Sequence, residues 1–305
     1  MNPHRLKAYI LLLITTIIWA IAEPVIKFTL GGFSPIIFLT YRFFLASIAA
    51  VVIFSVFGFH FPKDTKTRIE LLIYALVTST FSLGFLFFGL DKTTVLDTML
   101  ITLVSPLLIS FAGVKFLNEH ITLKEKVGMF IALAGTFLTV VEPFLQNGHS
   151  LTRFSGNVLI VLYLVMTTIG AVLAKKLLRK DVNPLTMTNT SFFVGFITLI
   201  PFALPQILAS RFQILTTPSL PYHLGVIYMA ILSGTLAYFL SIKAQKTIEV
   251  GEAAVFGYLY PIFVAPLAVV WLGEKITPLF IVGAIIIAFG VLIAEIKKKR
   301  YNTSS

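Results

Sequence analysis

Ten stretches of this chain are each about as long as a bilayer is thick and carry almost no charge, and nothing constrains the fold more. A helix needs about 20 mostly apolar residues to cross ~30 Å of hydrocarbon. The stretches run 7–30, 35–57, 69–90, 95–117 and 126–143, then 157–178, 184–208, 222–244, 253–272 and 278–296. A backbone in lipid must satisfy its own hydrogen bonds, and these runs lack the alternation of a membrane barrel, so each is expected to be a helix. The expected fold class is an all-α integral membrane protein with ten transmembrane helices. The longest connections, 144–156 and 209–221, are 13 residues each, too short for a folded domain outside the bilayer. Function is therefore expected inside the bundle. The first run is not read as a cleaved signal, because no small-residue cleavage site follows it and the chain continues through Glu23 and Lys27 into another span.

Charged residues make up 12% of the chain, half or less of the about 25% of a soluble domain, and mean hydropathy is +0.95. With no cysteine there is no disulfide scaffold and no thiolate metal site. A formal charge of +11 would point a soluble protein toward nucleic acid, but the positions of the bases change its meaning. Threading the loops alternately across the membrane puts 18 of the 24 Lys and Arg on one side. Lys92, Arg153, Arg211 and Lys275 fall on the other, and Lys27 and Arg42 lie within spans. The positive-inside rule then expects a multi-pass protein of the cell (plasma) membrane with both termini cytoplasmic. The bilayer, not nucleic acid, is the expected partner, and the basic tail at 297–305 is expected to be an anchor against lipid headgroups.

The chain also repeats itself. A shift of 155 positions lays Leu117–Thr122 (LNEHIT) on Leu272–Thr277 (LGEKIT), and in the same register Pro106 falls on Pro261, Gly128 on Gly283 and Gly135 on Gly290. Earlier in the units a shift of 149 lays Pro35 on Pro184 and Lys27 on Lys176. Two five-helix units follow, 7–143 and 153–296. A unit that crosses five times obliges its copy to enter from the opposite side, so the repeat is expected to be inverted. Inverted copies supply two packings of similar energy, one open to each side, which alternating access requires.

Several residues carry a family resemblance: the tryptophan-led first span (Trp19–Lys27), Pro35, Phe38, Arg42, Phe43 and Ala46 in the second, and the repeated proline followed by LxExIT. The pattern is similar to EamA-type members of the drug/metabolite transporter superfamily, over about 9–296. The resemblance implies a ten-helix, two-repeat carrier that moves small metabolites, often amino acids or related compounds and often outward, without ATP. Glu23 departs from it, standing where a small or neutral residue is expected.

Ionisable residues inside a membrane face a bundle interior or a wet cavity. Thr15, Trp19, Glu23 and Lys27 recur every four positions and share one helix face. At ~1.5 Å rise per residue, Glu23 lies ~6 Å and Trp19 ~12 Å below the outer surface, Arg42 ~10 Å and Asp97 ~6 Å. Glu23, Lys27, Arg42 and Asp97 are therefore expected to line one outer vestibule, with Glu23 pairing Arg42 in at least one state and Glu142 as a further candidate. The plainer reading makes Glu23 and Lys27 an i,i+4 pair and Arg42 a structural contact. Shifted by 149, positions 23 and 42 become Val172 and Ser191, so the charges are not duplicated. Thr80, Ser82, Tyr163, Asn189, Tyr238 and Tyr258 are deeper polar or aromatic candidates for substrate contact, each also able to serve between helices. Pro106 and Pro261, mid-span in equivalent helices, are candidate hinges. Glu119 and Glu274 are expected at helix ends.

The expected function is a secondary transporter exporting small metabolites, zwitterionic or aromatic in character, with protons bound at Glu23 as the candidate coupling ion. A passive channel or a lipid or lipid-linked solute translocase is the alternative. No GxxxxGK[ST] phosphate loop serves an ATP-driven pump, and no GxSxG or HExxH serves a hydrolase, so neither catalytic residues, metal nor cofactor are expected.

Overall fold

A computed structural model describes residues 3–58, 60–117, 122–145, 150–249, 253 and 255–295. Glu119 and the basic tail at 297–305 lie outside the described residues. The chain is helical: α1 (Pro3–Thr29), α2 (Pro35–Phe57), α3 (Thr65–Lys92), α4 (Val95–Phe116) and α5 (Leu123–Leu145) precede α6 (Leu151–Leu178), α7 (Pro184–Ala209), α8 (Leu220–Gln245), α9 (Val255–Val270) and α10 (Pro278–Glu295). Among the described residues, eight helices are long and apolar enough to cross a membrane, and α9 and α10 are shorter apolar helices. We call the face where α1 begins the N-terminal face and the other the distal face.

Helix starts follow local chemistry. Pro35 and Pro184 occupy first-turn positions, where a missing N–H costs nothing. Asp64, Thr94, Ser150 and Asn183 turn side-chain oxygens onto the amides of Thr67, Asp97, Arg153 and Leu185. The Ser150 cap explains why α6 begins at Leu151 rather than at the expected 157, in the polar run before the apolar one.

Three helices are irregular in their middles. The third and eighth contain π-helical segments, Leu76–Ser82 and Tyr228–Leu236, which overlap when shifted by 155. In α4 the helix breaks at Leu103–Val104 and resumes at Ser105, with Pro106 in the first turn of the second half. Its counterpart α9 starts as a 3-10 turn (Val255–Leu259) before Pro261 enters the first turn of Tyr260–Val270. Each proline thus marks a real change of helix, and each sits where its missing donor is least damaging.

Polarity is inverted relative to a soluble protein. Large apolar side chains such as Phe130, Phe137 and Val270 point outward, while Thr, Ser, Arg42, Asp97 and Glu142 are buried. Small residues bring α5 and α10 into backbone contact. A Cβ on Gly128 would lie 2.4 Å from the Gly290 carbonyl oxygen, and one on Gly290 would lie 2.6 Å from that of Gly128. Gly135 meets the Gly283 oxygen in the same way.

Candidate functional site

A cavity of about 230 Å³ runs between α1, α3, α4, α6, α8 and α9. The first helix contributes Leu12, Thr15, Thr16, Trp19, Ala22, Glu23 and Ile26, and α6 contributes Tyr163, Leu164, Thr167, Gly170, Ala171 and Ala174. Every member of the second set is 148 positions after its counterpart in the first. Further pairs of lining residues follow the 155 shift, among them Tyr74 and Met229, Thr78 and Ser233, Leu83 and Tyr238, Thr102 and Gly257, and Ser105 and Tyr260, whereas others such as Ser82, Ile109 and Phe256 have no counterpart in the lining. The cavity has two walls of one plan but different chemistry, since Glu23 faces the role of Ala171 and Trp19 that of Thr167.

Two charged side chains enter this space with buried polar atoms left without a hydrogen-bond partner. Arg42 is fully buried, and none of its three guanidinium nitrogens has a hydrogen-bond partner. Its guanidinium carbon lies 5.6 Å from the Phe87 ring centre and 5.7 Å from that of Phe43, within cation–π range. Glu23 is 6% exposed, and its Oε2 is also unpartnered. Leaving either charge buried alone costs several kcal/mol, a penalty expected to persist only where function requires it. The Glu23–Arg42 pair expected in at least one state is not made in this conformation.

Aromatic rings form part of the lining. The Trp19 indole donates to the Ser233 carbonyl at 2.9 Å, inside the second π-helical segment, and its ring meets Tyr238 edge-on at 5.0 Å. Tyr238 in turn stands edge-on to Phe192. Tyr74 and Tyr260 also line the cavity and are not among the sequence candidates; nothing in the sequence separates them from the other tyrosines. Ser82, expected as a contact, does line it and shares a hydrogen bond of 3.0 Å with Thr167. Pro106 lines it as well, and Pro261 does not.

Other expected residues lie elsewhere. Lys27 leaves the cavity and donates from Nζ to the carbonyls of Leu90 and Thr93, both at 2.7 Å. Asp97 is buried against α6, where Arg153 grips it at 2.7 Å through both Nε and Nη2. The four-charge vestibule thus divides into a cavity pair and two helix-end contacts, because depth along a helix does not fix the direction in which a side chain points. Glu142 is buried and accepts from Thr277 at 2.5 Å, with Arg153 Nη2 at 3.6 Å. Thr80 shares a 2.7 Å bond with Thr198 of α7, a contact between helices. Asn189 is fully buried outside the cavity lining with both amide atoms unpartnered, and Tyr258 also lies outside the lining. Glu274 stands at a helix end as expected, accepting the first amides of α4 from Val95 and Leu96 at 2.7 and 2.9 Å.

A solved crystal structure shares the fold, with a TM-score of 0.60 at 17% identity over 92% of this chain and 98% of that one. An uncharacterized transporter of Archaeoglobus fulgidus is 30% identical over 96% of this chain and 98% of its own length. A probable amino-acid metabolite efflux pump of Salmonella typhimurium is 24% identical over 93% of each chain. A probable terminal-alkyne amino-acid exporter of Streptantibioticus cattleyicolor is 23% identical over 94% of this chain and 93% of its own. These relatives are named as transporters, pumps or exporters and none as an enzyme. The EamA-like transporter family matches twice, over residues 6–141 and 154–295, and this chain is therefore a member of that family.

Proposed function

We propose that the protein is a secondary exporter of small zwitterionic metabolites of the amino-acid class, working by alternating access across the plasma membrane. The observation that carries this reading is the cavity, with an acid that has one unpartnered oxygen, an unpartnered guanidinium, and aromatic rings in its walls. Glu23 complements a substrate ammonium, Arg42 a carboxylate, and Trp19, Tyr163 and Tyr238 an apolar side chain. At about 230 Å³ the space suits a small solute and falls below the ~300–1,000 Å³ of drug-sized pockets, which favours this reading over a lipid translocase.

In this reading all ten helices cross the bilayer, as two inverted units at 7–143 and 153–296. The double family match and the paired cavity positions support it. So does the reciprocal contact of α5 with α10, where Gly128 meets Gly290 and Gly135 meets Gly283 as two copies related by a two-fold axis would. The N-terminal face, which collects 14 of the 20 Lys and Arg among the described residues, is cytoplasmic.

Counterflow in proteoliposomes, with a panel of amino acids inside and a labelled one outside, tests the function. Saturable exchange is expected, with about 100-fold loss in Glu23→Gln and Arg42→Ala, the scale of a buried charge-assisted bond. Unsaturable flux, or single-channel currents, would replace the carrier by a channel. Repeating the exchange with and without a pH gradient tests protons as the coupling ion.

A further inference from the structure

Lys27 has a counterpart on the opposite face, and it is not the lysine a 149 shift selects. Lys27 Nζ donates to the carbonyls of Leu90 and Thr93, and Lys175 Nζ donates to those of Gln245 at 2.7 Å and Ile248 at 2.5 Å. The carbonyls differ by 155 in both cases, and the lysines by the 148 that relates the cavity walls of α1 and α6. Lys176 instead stands exposed beside the Phe116 ring.

Both lysines complete helix C-termini. The carbonyls belong to the last residues of α3 and α8 and the turns after them, which have no donor within their own helix and carry the negative end of its dipole. A half-buried ammonium at such a site is held by charge as well as by two hydrogen bonds.

Position gives these contacts a further role. The first helix lies along α8, and α6 lies along α3, so the bundle interior consists of two helix pairs with the cavity between them. Lys27 reaches from the α1–α8 pair to the end of α3 on the distal face. Lys175 reaches from the α3–α6 pair to the end of α8 on the N-terminal face. Each lysine therefore joins the two pairs at one end of the cavity, and at opposite ends.

We infer that Lys27 and Lys175 are the paired gate latches of the transport cycle, Lys27 holding the distal end shut and Lys175 the N-terminal end. Opening to either side requires one lysine to leave its two carbonyls while the other stays bound. The proposal rests on the transport reading above and adds the residues that decide which face opens.

The absence of native cysteine allows a direct test. Ser105→Cys places one thiol in the cavity, and its rate of modification by a membrane-impermeant maleimide is measured from each side in sealed vesicles of either orientation. Lys27→Met is expected to raise labelling from the distal side at least about fivefold, and Lys175→Met from the N-terminal side by as much, the lower end of ordinary conformational coupling. Lys124→Met, an exposed lysine in the first turn of α5 and outside both helix pairs, is expected to change neither rate. Equal rates in the latch variants and their parent, or a rise on the same side in both, would overturn the proposal. Either latch variant decides alone, should the other fail to fold, because each names its own face. Counterflow by the unsubstituted chain is measured in parallel. Intact counterflow with unchanged labelling removes the latches alone, whereas shifted labelling without counterflow removes only the transport reading.

Discussion

Arg153, in the first turn of α6, holds Asp97, in the first turn of α4, by two parallel hydrogen bonds of 2.7 Å. The aspartate is fully buried, so its charge depends on that fork and on the Thr93 hydroxyl at 3.1 Å. Removing Arg153 leaves the Asp97 charge stranded, whereas Arg153 without Asp97 still has Glu142 at 3.6 Å. Arg153→Ala is expected to destabilise the folded state by about 3–5 kcal/mol, while Asp97→Leu with Arg153→Met, which removes both charges, is expected to cost much less. Thermal unfolding of the purified protein in detergent reads the difference. Equal losses in single and double variants would mean that the pair contributes packing only.

The contact of α5 with α10 predicts a different failure. A methyl on Gly128 would meet the Gly290 oxygen at 2.4 Å and the Ala294 nitrogen at 2.6 Å, both backbone atoms that cannot rotate away. Gly128→Ala is expected to cost about 1–3 kcal/mol through forced separation of the helices. Gly84, with no atom within 4 Å of the position a methyl would take, is the control, and Gly84→Ala should leave the melting temperature unchanged or raise it. A tolerated Gly128→Ala would show that the two helices separate freely.

The ladder of helices was legible because lipid imposes a length and a polarity on each span, and both are written in composition. The repeat was legible where it carries distinctive residues, such as Pro106 and Pro261. Across α1 and α6 it was legible only to within one residue. Neighbouring Lys175 and Lys176 fit a pattern equally well, and their different partners appear only in the folded chain. The partner of Asp97 was hidden for the same reason, since Arg153 is 56 residues away in sequence. Glu23 and Arg42 stood out because buried charge in a membrane is rare. Tyr74 and Tyr260 did not, in a chain with 29 Phe and 10 Tyr. The π-helical segments left no mark in composition at all.

One of those segments ties directly to the cavity. Trp19 donates its indole N–H to the Ser233 carbonyl, a backbone oxygen within Tyr228–Leu236. Trp19→Phe keeps a ring against Tyr238 but removes that hydrogen bond, which is expected to cost about 0.5–1.5 kcal/mol. Exchange of the transported metabolite should slow in the same variant, because the lining at Trp19 is altered. An unchanged melting temperature would show that the π-helical carbonyl finds another donor.

The inverted arrangement makes a prediction that side-chain chemistry cannot mimic. Lys124 lies in the first turn of α5, and Gly273 lies just before α10, the helix in the same place in the second unit. Parallel copies would put these two positions on one side of the membrane, and inverted copies would put them on opposite sides. Single cysteines at Lys124 and Gly273, in a chain with none of its own, can be labelled in intact cells by an impermeant thiol reagent. Gly273→Cys should react from outside, and Lys124→Cys only after the cells are opened, since the face rich in lysine is the cytoplasmic one. Reaction of both before opening would overturn the inversion. Reaction of Lys124→Cys alone would keep the inversion and reverse the orientation, and with it the assignment of Lys27 to the outer end of the cavity.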